Sequence, residues 1–136
     1  MIEVELNKIV IDEKRHDQLI VLKEKNGERV LPIVIGLAEA SAIKLKISGF
    51  KPERPLTHDL LLSTIKYLEA NVEKIIIDEL EENTFHAKIV LKTSSGHEKV
   101  IDARPSDSIA LAVRAHAPIF VKDEIIKQAG IFNKEK

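Results

Sequence analysis

Residues 18–48 read QLIVLKEKNGERVLPIVIGLAEASAIKLKIS. A strand pattern, a tight turn, a second strand pattern and a helix pattern follow one another in this stretch. Asn26-Gly27 is a strong short hairpin signal, because both residues tolerate positive φ. It joins a strand near Gln18–Lys25 to one at Glu28–Ile35. The second strand ends in an apolar run, which predicts that both its faces are covered. Gly36 then opens Ala38–Ser48, where Ala40, Ile43 and Ile47, with Ala38, Ala42 and Leu45, occupy a wide apolar arc. That arc predicts a largely buried helix, stopped by Gly49. A hairpin feeding a helix favours antiparallel pairing and an α+β fold.

The same alternation extends outward. Ile2, Val4 and Leu6 interleave with polar residues as in a half-buried strand. After a loop with Pro52 and Pro55, Thr57 reads as the N-cap of a second helix, with His58 and Asp59 in its first turn. Leu61, Ile65 and Leu68 supply its core stripe. Strand patterns return at Val72–Leu80, Phe85–Lys92 and Glu98–Ala103. Ser106 reads as the N-cap of a third helix, Asp107–Ala115. Pro118–Val121 is a short strand, and Asp123 caps a last short helix ending at Gly130. The expected architecture is one domain over residues 1–132, a mixed, largely antiparallel curved sheet with three to four helices. Residues 133–136 form a disordered tail. Asn26–Leu31 and Gly96–Ile101 each precede a helix with an acid near its start, Glu39 and Asp107. The halves can therefore be read as a diverged repeat of three strands and a helix, about 70 residues long.

At 136 residues, 44% hydrophobic and 32% charged, the chain is globular in composition. It contains no cysteine, which excludes disulfides, thiolate metal sites and cysteine nucleophiles. Met1–Glu5 lacks the basic and apolar regions of a signal peptide. The longest apolar run, Val30–Ala38, is interrupted by Pro32 and Gly36 and is shorter than the roughly 20 residues of a membrane helix. A cytoplasmic protein without membrane contact is expected. The formal net charge of -1 gives no support to strong binding of a phosphate backbone, which draws on lysine and arginine.

Phosphate-loop, zinc-protease, serine-elbow and dinucleotide fingerprints are missing. Three polar clusters remain, each at a helix start. Glu39 suits a carboxylate ligand or general base of metal-assisted phosphodiester hydrolysis, or simple compensation of the helix dipole. His58 suits a proton shuttle or metal ligand, and Asp59 a divalent cation; a capped helix start explains both equally. In Asp102-Ala103-Arg104-Pro105-Ser106-Asp107, Asp102 and Arg104 fall on one side of a strand. Asp102 and Asp107 could flank a cation while Arg104 holds a phosphate. The alternative is a strand-to-helix turn with one Arg–Asp pair and a Ser–Asp cap. His16, His86, His97 and His116 suggest no site, and Tyr67 with four phenylalanines is too few aromatics for a base-stacking platform.

Three strings carry a resemblance. They are Leu31–Gly36 with Glu39–Ile43, then Arg54-Pro55-Leu56-Thr57-His58-Asp59-Leu60-Leu61, then Asp102–Ala112 continuing into Ala117–Val121. In order and spacing they resemble the bifunctional-nuclease family, over about Met1–Phe132. The resemblance implies an α+β domain that self-associates as a homodimer or higher oligomer, and in some members cleavage of both DNA and RNA. It carries Glu39, Thr57, His58, Asp59, Asp102, Arg104, Ser106 and Asp107 over as site positions. The expected assignment is His58, Asp59, Arg104 and Asp107 in catalysis, with Thr57, Arg104 and Ser106 on the substrate. Glu39, Asp59, Asp102 and Asp107 form the pool for Mg²⁺ or Mn²⁺. The competing expectation is a non-enzymatic, oligomeric binding or regulatory domain whose polar clusters are helix caps and fold determinants. A small-ligand module in the hollow of a curved sheet is a third.

Overall fold

The computed structural model describes residues 1–12, 14, 15 and 17–132. His16 and the expected tail 133–136 lie outside the described residues. The alternating N-terminus forms β1 (Ile2–Val10), which pairs antiparallel with β2 (Gln18–Glu24). β2 turns into β3 (Arg29–Ile35), and β3 runs into helix α1 (Leu37–Ile47). Helix α2 (Thr57–Tyr67) leads into a second meander of β4 (Ala70–Glu81), β5 (Thr84–Thr93) and β6 (Glu98–Ala103). Helix α3 (Pro105–Ala115), β7 (Ile119–Val121), α4 (Asp123–Ala129) and the two-residue β8 (Ile131–Phe132) complete the described chain.

The strands form one open sheet in the order β6-β5-β4-β7-β1-β2-β3-β8. Every pair is antiparallel except β4 with β7. This is the expected mixed, largely antiparallel α+β fold. The order also displays the repeat: two three-stranded meanders run outward from the central β7, and each ends in a helix. The helices pack α1 on α3 and α2 on α3. Ile43 of α1, Ile65 of α2, Ile109 and Leu111 of α3 and Ile126 of α4 join Ile20, Leu31, Ile75 and Ile77 of the sheet in one core.

Several local expectations are corrected. In β3 the buried residues include Leu31, Ile33 and Ile35, whereas Val34 is 60% exposed, so the strand alternates and has one covered face there. Helix α1 buries only Ala40 and Ile43; its arc is wider than the surface that meets it. The hairpin at Asn26-Gly27 exists, but neither residue has positive φ. Glu24 stabilises it instead, accepting hydrogen bonds from the backbone and guanidinium of Arg29. The left-handed pair is Glu82 (φ 51°) and Asn83 (φ 63°), at the tip of β4–β5. The N-caps are Leu56, Arg104 and Lys122, so Thr57, Ser106 and Asp123 each fall inside a helix.

Arg114 ties the three larger helices together. Its side chain, 3% exposed, points into the bundle from α3. Nε donates to Asp59 Oδ1 of α2 at 2.8 Å, and Nη2 to the Ala42 carbonyl of α1 at 3.2 Å. Nη1 donates to the Ala110 carbonyl one turn back, at 2.9 Å. Arg114→Met removes all three and strands part of an ion pair. It should destabilise the fold by about 3 kcal/mol, read as a lower denaturant midpoint at unchanged slope.

Candidate functional site

Three helices carry an acid at the same place. Glu39, Asp59 and Asp107 are each the third residue of α1, α2 and α3. There a carboxylate meets the positive end of the helix and its unpaired amides. The fold then brings two of them to one arginine and gives the third to another.

Asp107 and Glu39 meet on Arg104, which sits at the junction of β6 and α3. Arg104 Nε and Nη2 contact Asp107 Oδ2 at 2.9 and 2.8 Å. Nη1 donates to Glu39 Oε1 at 3.1 Å. The other Asp107 oxygen, Oδ1, lies 3.0 Å from His58 Nε2. An ionised carboxylate only accepts, so Nε2 carries the proton and Nδ1 is the basic nitrogen of the neutral ring. Burial pushes the Asp107 carboxyl up, but the hydrogen bonds from His58 and Arg104 and the arginine charge outweigh it and hold it below its usual range. The result is one chain of contacts, His58–Asp107–Arg104–Glu39, drawn from all three expected clusters.

Asp59 and Asp102 are not part of it. Asp59 Oδ2 accepts from the Leu56 amide and Oδ1 from Arg114, so both oxygens are engaged. Burial raises its carboxyl; these bonds, with the charges of Arg114 and Lys46, bring it below the ordinary value. Asp102 pairs with Lys88 at 3.2 Å, and Lys88 reaches Asp78 at 3.4 Å. Arg104 does not share its side of β6, because the strand ends at Ala103 and Arg104 turns into the helix cap. Thr57 is exposed, and Ser106 is buried at the start of α3.

A cleft of about 480 Å³ opens beside this chain. Arg104, Glu39 and Ser106 line one side, the hairpin tip Asn83-Thr84-Phe85 another, and Pro32–Gly36 a third. His58 is only 11% exposed and does not line it; it stands behind Asp107. Glu39 Oε2 has no hydrogen-bond partner among the described residues. A Cβ at Gly36 would come 2.8 Å from that oxygen, so the glycine leaves it room at the cleft wall.

Residues that sequence reasoning passed over are Arg114, Gly36 and the hairpin tip. Arg114 had a signal: a lone cation seven residues after Asp107 in an apolar helix lies on the same face, two turns on. The approach of the hairpin tip to α1 and α3 is set by the sheet and has no local signal.

Donor chemistry tests the expected divalent cation. Glu39 Oε2 is free and faces the cleft, and Asp107 is its neighbour across Arg104. Mg²⁺ is commonly held by one or two carboxylates together with substrate phosphates; Glu39 Oε2 fits that mode, whereas both Asp107 oxygens are engaged, by His58 and Arg104. Glu39, Asp59, Asp102 and Asp107 do not form a complete protein cage. Among the described residues, the one group of three such side chains with ligand atoms within 4.8 Å of one another is Glu79, Glu81 and His86 on the β4–β5 hairpin.

An open βββα sheet with an arginine bridging the first turns of two repeat-related helices defines the class. The bifunctional nuclease domain matches residues 20–134, and the chain belongs to that family. An uncharacterised protein of Mycobacterium tuberculosis is 39% identical over 129 residues, covering 95% of this chain and 76% of its own. Bifunctional nuclease 2 of Oryza sativa subsp. japonica is 27% identical over 128 residues, 92% of this chain and 39% of the rice protein. Bifunctional nuclease 1 of the same plant is 21% identical, over 88% of this chain and 37% of its own. No helix among the described residues is long and apolar enough to cross a membrane.

The two lowered carboxyls set a pH dependence. Their folded values lie below the unfolded value of about 3.9. In that window the unfolded chain binds more protons, so stability rises with pH. The contribution is complete above the unfolded value and is lost as pH falls through the folded ones. Asp59→Asn and Asp107→Asn should each flatten the loss of denaturant midpoint below about pH 4.

Proposed function

We propose that this chain hydrolyses phosphodiester bonds of DNA and RNA in the cleft beside Arg104, with the aid of Mg²⁺ or Mn²⁺. The observation that carries this reading is the free Glu39 oxygen next to a guanidinium at the cleft wall. Arg104 has five N–H donors, and three contacts hold it to Asp107 and Glu39. The remaining donors can take a phosphate oxygen and stabilise the charge that builds on the pentacovalent phosphate. Ser106, on the same wall, is a further donor.

Glu39 accepts the proton of the attacking water as the new P–O bond forms. The bond to the leaving oxygen then breaks, and that alkoxide takes up a proton returned from Glu39 or from solvent. His58 holds Asp107, and Asp107 holds Arg104, so these two act on the orientation of the guanidinium. With His58 neutral the cluster of Glu39, Asp107 and Arg104 carries one net negative charge, which opposes an incoming phosphate. A divalent ion held by Glu39 together with a substrate phosphate would reverse that sign and lower the pKa of a bound water.

The competing reading, a non-enzymatic domain, is favoured at Asp59 and Asp102. There every contact is explained by capping and pairing within the fold. The absence of cysteine supports a reducing, cytoplasmic setting. Purified protein should cut single-stranded DNA and RNA when Mg²⁺ or Mn²⁺ is supplied and stop with chelator. Arg104→Ala and Glu39→Gln should each lower kcat by about 10²-fold, whereas Asp102→Asn should stay near wild type. Undiminished cleavage in an Arg104→Ala/Glu39→Gln double variant, prepared alongside, would sink this assignment.

Self-association belongs to the same proposal. Leu60, Tyr67 and Leu68 of the α2 segment are 60%, 90% and 76% exposed, and Ile47 at the end of α1 and Phe50 beyond it are 54% each. So much apolar surface on neighbouring segments suits a second copy of the chain. Light scattering should give a homodimer or larger, and Leu60→Asp with Leu68→Asp should shift it to monomer; a wild-type monomer at high concentration refutes the idea.

A further inference from the structure

We infer that the substrate is a short single strand or a strand end, gripped over about two nucleotides, and not a long polymer tracked along the protein surface. The inference rests on the proposed hydrolysis site and names its substrate class. Three observations carry it: the size of the cleft, its charge, and the hollow beside it.

The cleft volume of about 480 Å³ falls in the range of small-molecule sites, roughly 300–1,000 Å³. A duplex is too wide to enter it. Its lining is mixed in the way one nucleotide requires. Arg104 and Ser106 offer donors to a phosphate, Val34 and Phe85 offer apolar surface to a base, and Asn83 and Thr84 offer an amide and a hydroxyl at the hairpin tip. A second hollow of about 330 Å³ shares Asp17 and Val34 with the first and includes Arg15. The two adjoin, and each has room for one nucleotide.

Charge sets the limit on length. Among the described residues Arg104 is the one cation lining the cleft, facing Asp17 and Glu39. Arg15 is the one cation lining its neighbour, beside Asp12 and Asp17. Among the described residues no lysine lines either, and the whole chain has a formal charge of -1. Affinity for a long strand comes from many phosphates, each displacing counterions from a Lys or Arg contact. Two arginines allow about two such contacts. A longer strand would leave the hollows and meet a surface of interspersed sign.

The hairpin tip forms part of the cleft wall. Glu82 and Asn83, both left-handed, reverse the chain tightly and present Asn83 and Thr84 to the cleft. This part of the wall is backbone-determined and lines the same cleft as Arg104, so a base edge can be met there while its phosphate stays with the guanidinium.

The test uses the full chain with Mg²⁺ at fixed concentration. The probes are a dinucleotide carrying a bridging methylene in place of the leaving oxygen, which keeps its charge and resists hydrolysis, and a 30-mer of the same chemistry. The dinucleotide should shift the backbone NMR signals of Gly36, Thr84 and Ser106. Its log K should fall with log salt at a slope of about -0.7 to -1.4, the value for one or two phosphates of a single strand. The 30-mer, with a dinucleotide register at nearly every step, should bind within about thirtyfold of it per strand, with the same slope. A slope of about -3 or steeper for the 30-mer, with affinity gained over about a hundredfold, overturns the inference. Absence of shifts at those three positions with both probes overturns it as well. Cleavage is scored separately on natural strands. Dinucleotide binding as described with no cleavage removes the hydrolysis reading and leaves the binding class standing; cleavage with a steep polymer slope does the reverse.

Discussion

The Arg104 guanidinium between Glu39 and Asp107 is the contact on which the site depends. A repeated βββα layout brings the first turns of α1 and α3 side by side, and each turn carries an acid at its third residue. Each acid suits its own helix, but together they repel. An arginine at the cap of α3, in contact with both, resolves the conflict with a planar fork that a lysine lacks. The same contact fixes the electrostatics of the cleft, because two carboxylates and one guanidinium leave a single negative charge where a ligand would enter.

From this point a line of contacts runs inward. Glu39 and Arg104 are on the cleft; Asp107 backs Arg104; His58 backs Asp107; Asp59, the next residue, is held by Arg114 beneath. Side-chain exposure is 65% at Arg104, 31% at Asp107, 11% at His58 and 3% at Arg114, with Glu39 at 19% and Asp59 at 30% off that trend. The buried end is therefore fixed by packing and by bonds to three helices, while the outer end retains freedom to meet a ligand. Asp107 and Arg114, two turns apart on α3, receive His58 and Asp59 from α2, so the start of α2 is seated across α3 at two points.

Much of the fold was legible because its signals are local. Alternation marked the strands, Gly36 marked the start of α1, and the echo between the two halves anticipated the paired meanders. Errors arose where tertiary contacts decide. The arc of α1 did not say which part of it would be covered. Asn26-Gly27 gave the right hairpin for a partly wrong reason, since Glu24 and Arg29 hold it. Ser106 and Thr57 looked like caps because the backbone amide of Leu56 takes its partner from Asp59, three residues on, and the cap position of α3 goes to Arg104. Of the acids, sequence could supply the pool but not the sorting. Asp102 was lost to Lys88 across the strand pair, a partner that only the β5–β6 register brings opposite.

The contrast between Asp59 and Glu39 separates a structural acid from a functional one. Both occupy the third position of a helix, so dipole compensation explains either of them equally well. Asp59 spends both oxygens, one on its own cap and one on a buried arginine, and a further ligand would have to break one of those bonds. Glu39 spends one oxygen on Arg104 and keeps the other, beside a glycine whose missing side chain leaves that oxygen space at the cleft. A group present only to cap a helix has no need of an unengaged oxygen facing a cleft. Exposure does not separate the two, since Glu39 is 19% and Asp59 30% exposed; what sets Glu39 apart is an unengaged oxygen on a residue that lines the cleft, which is what a cation or a reacting water requires.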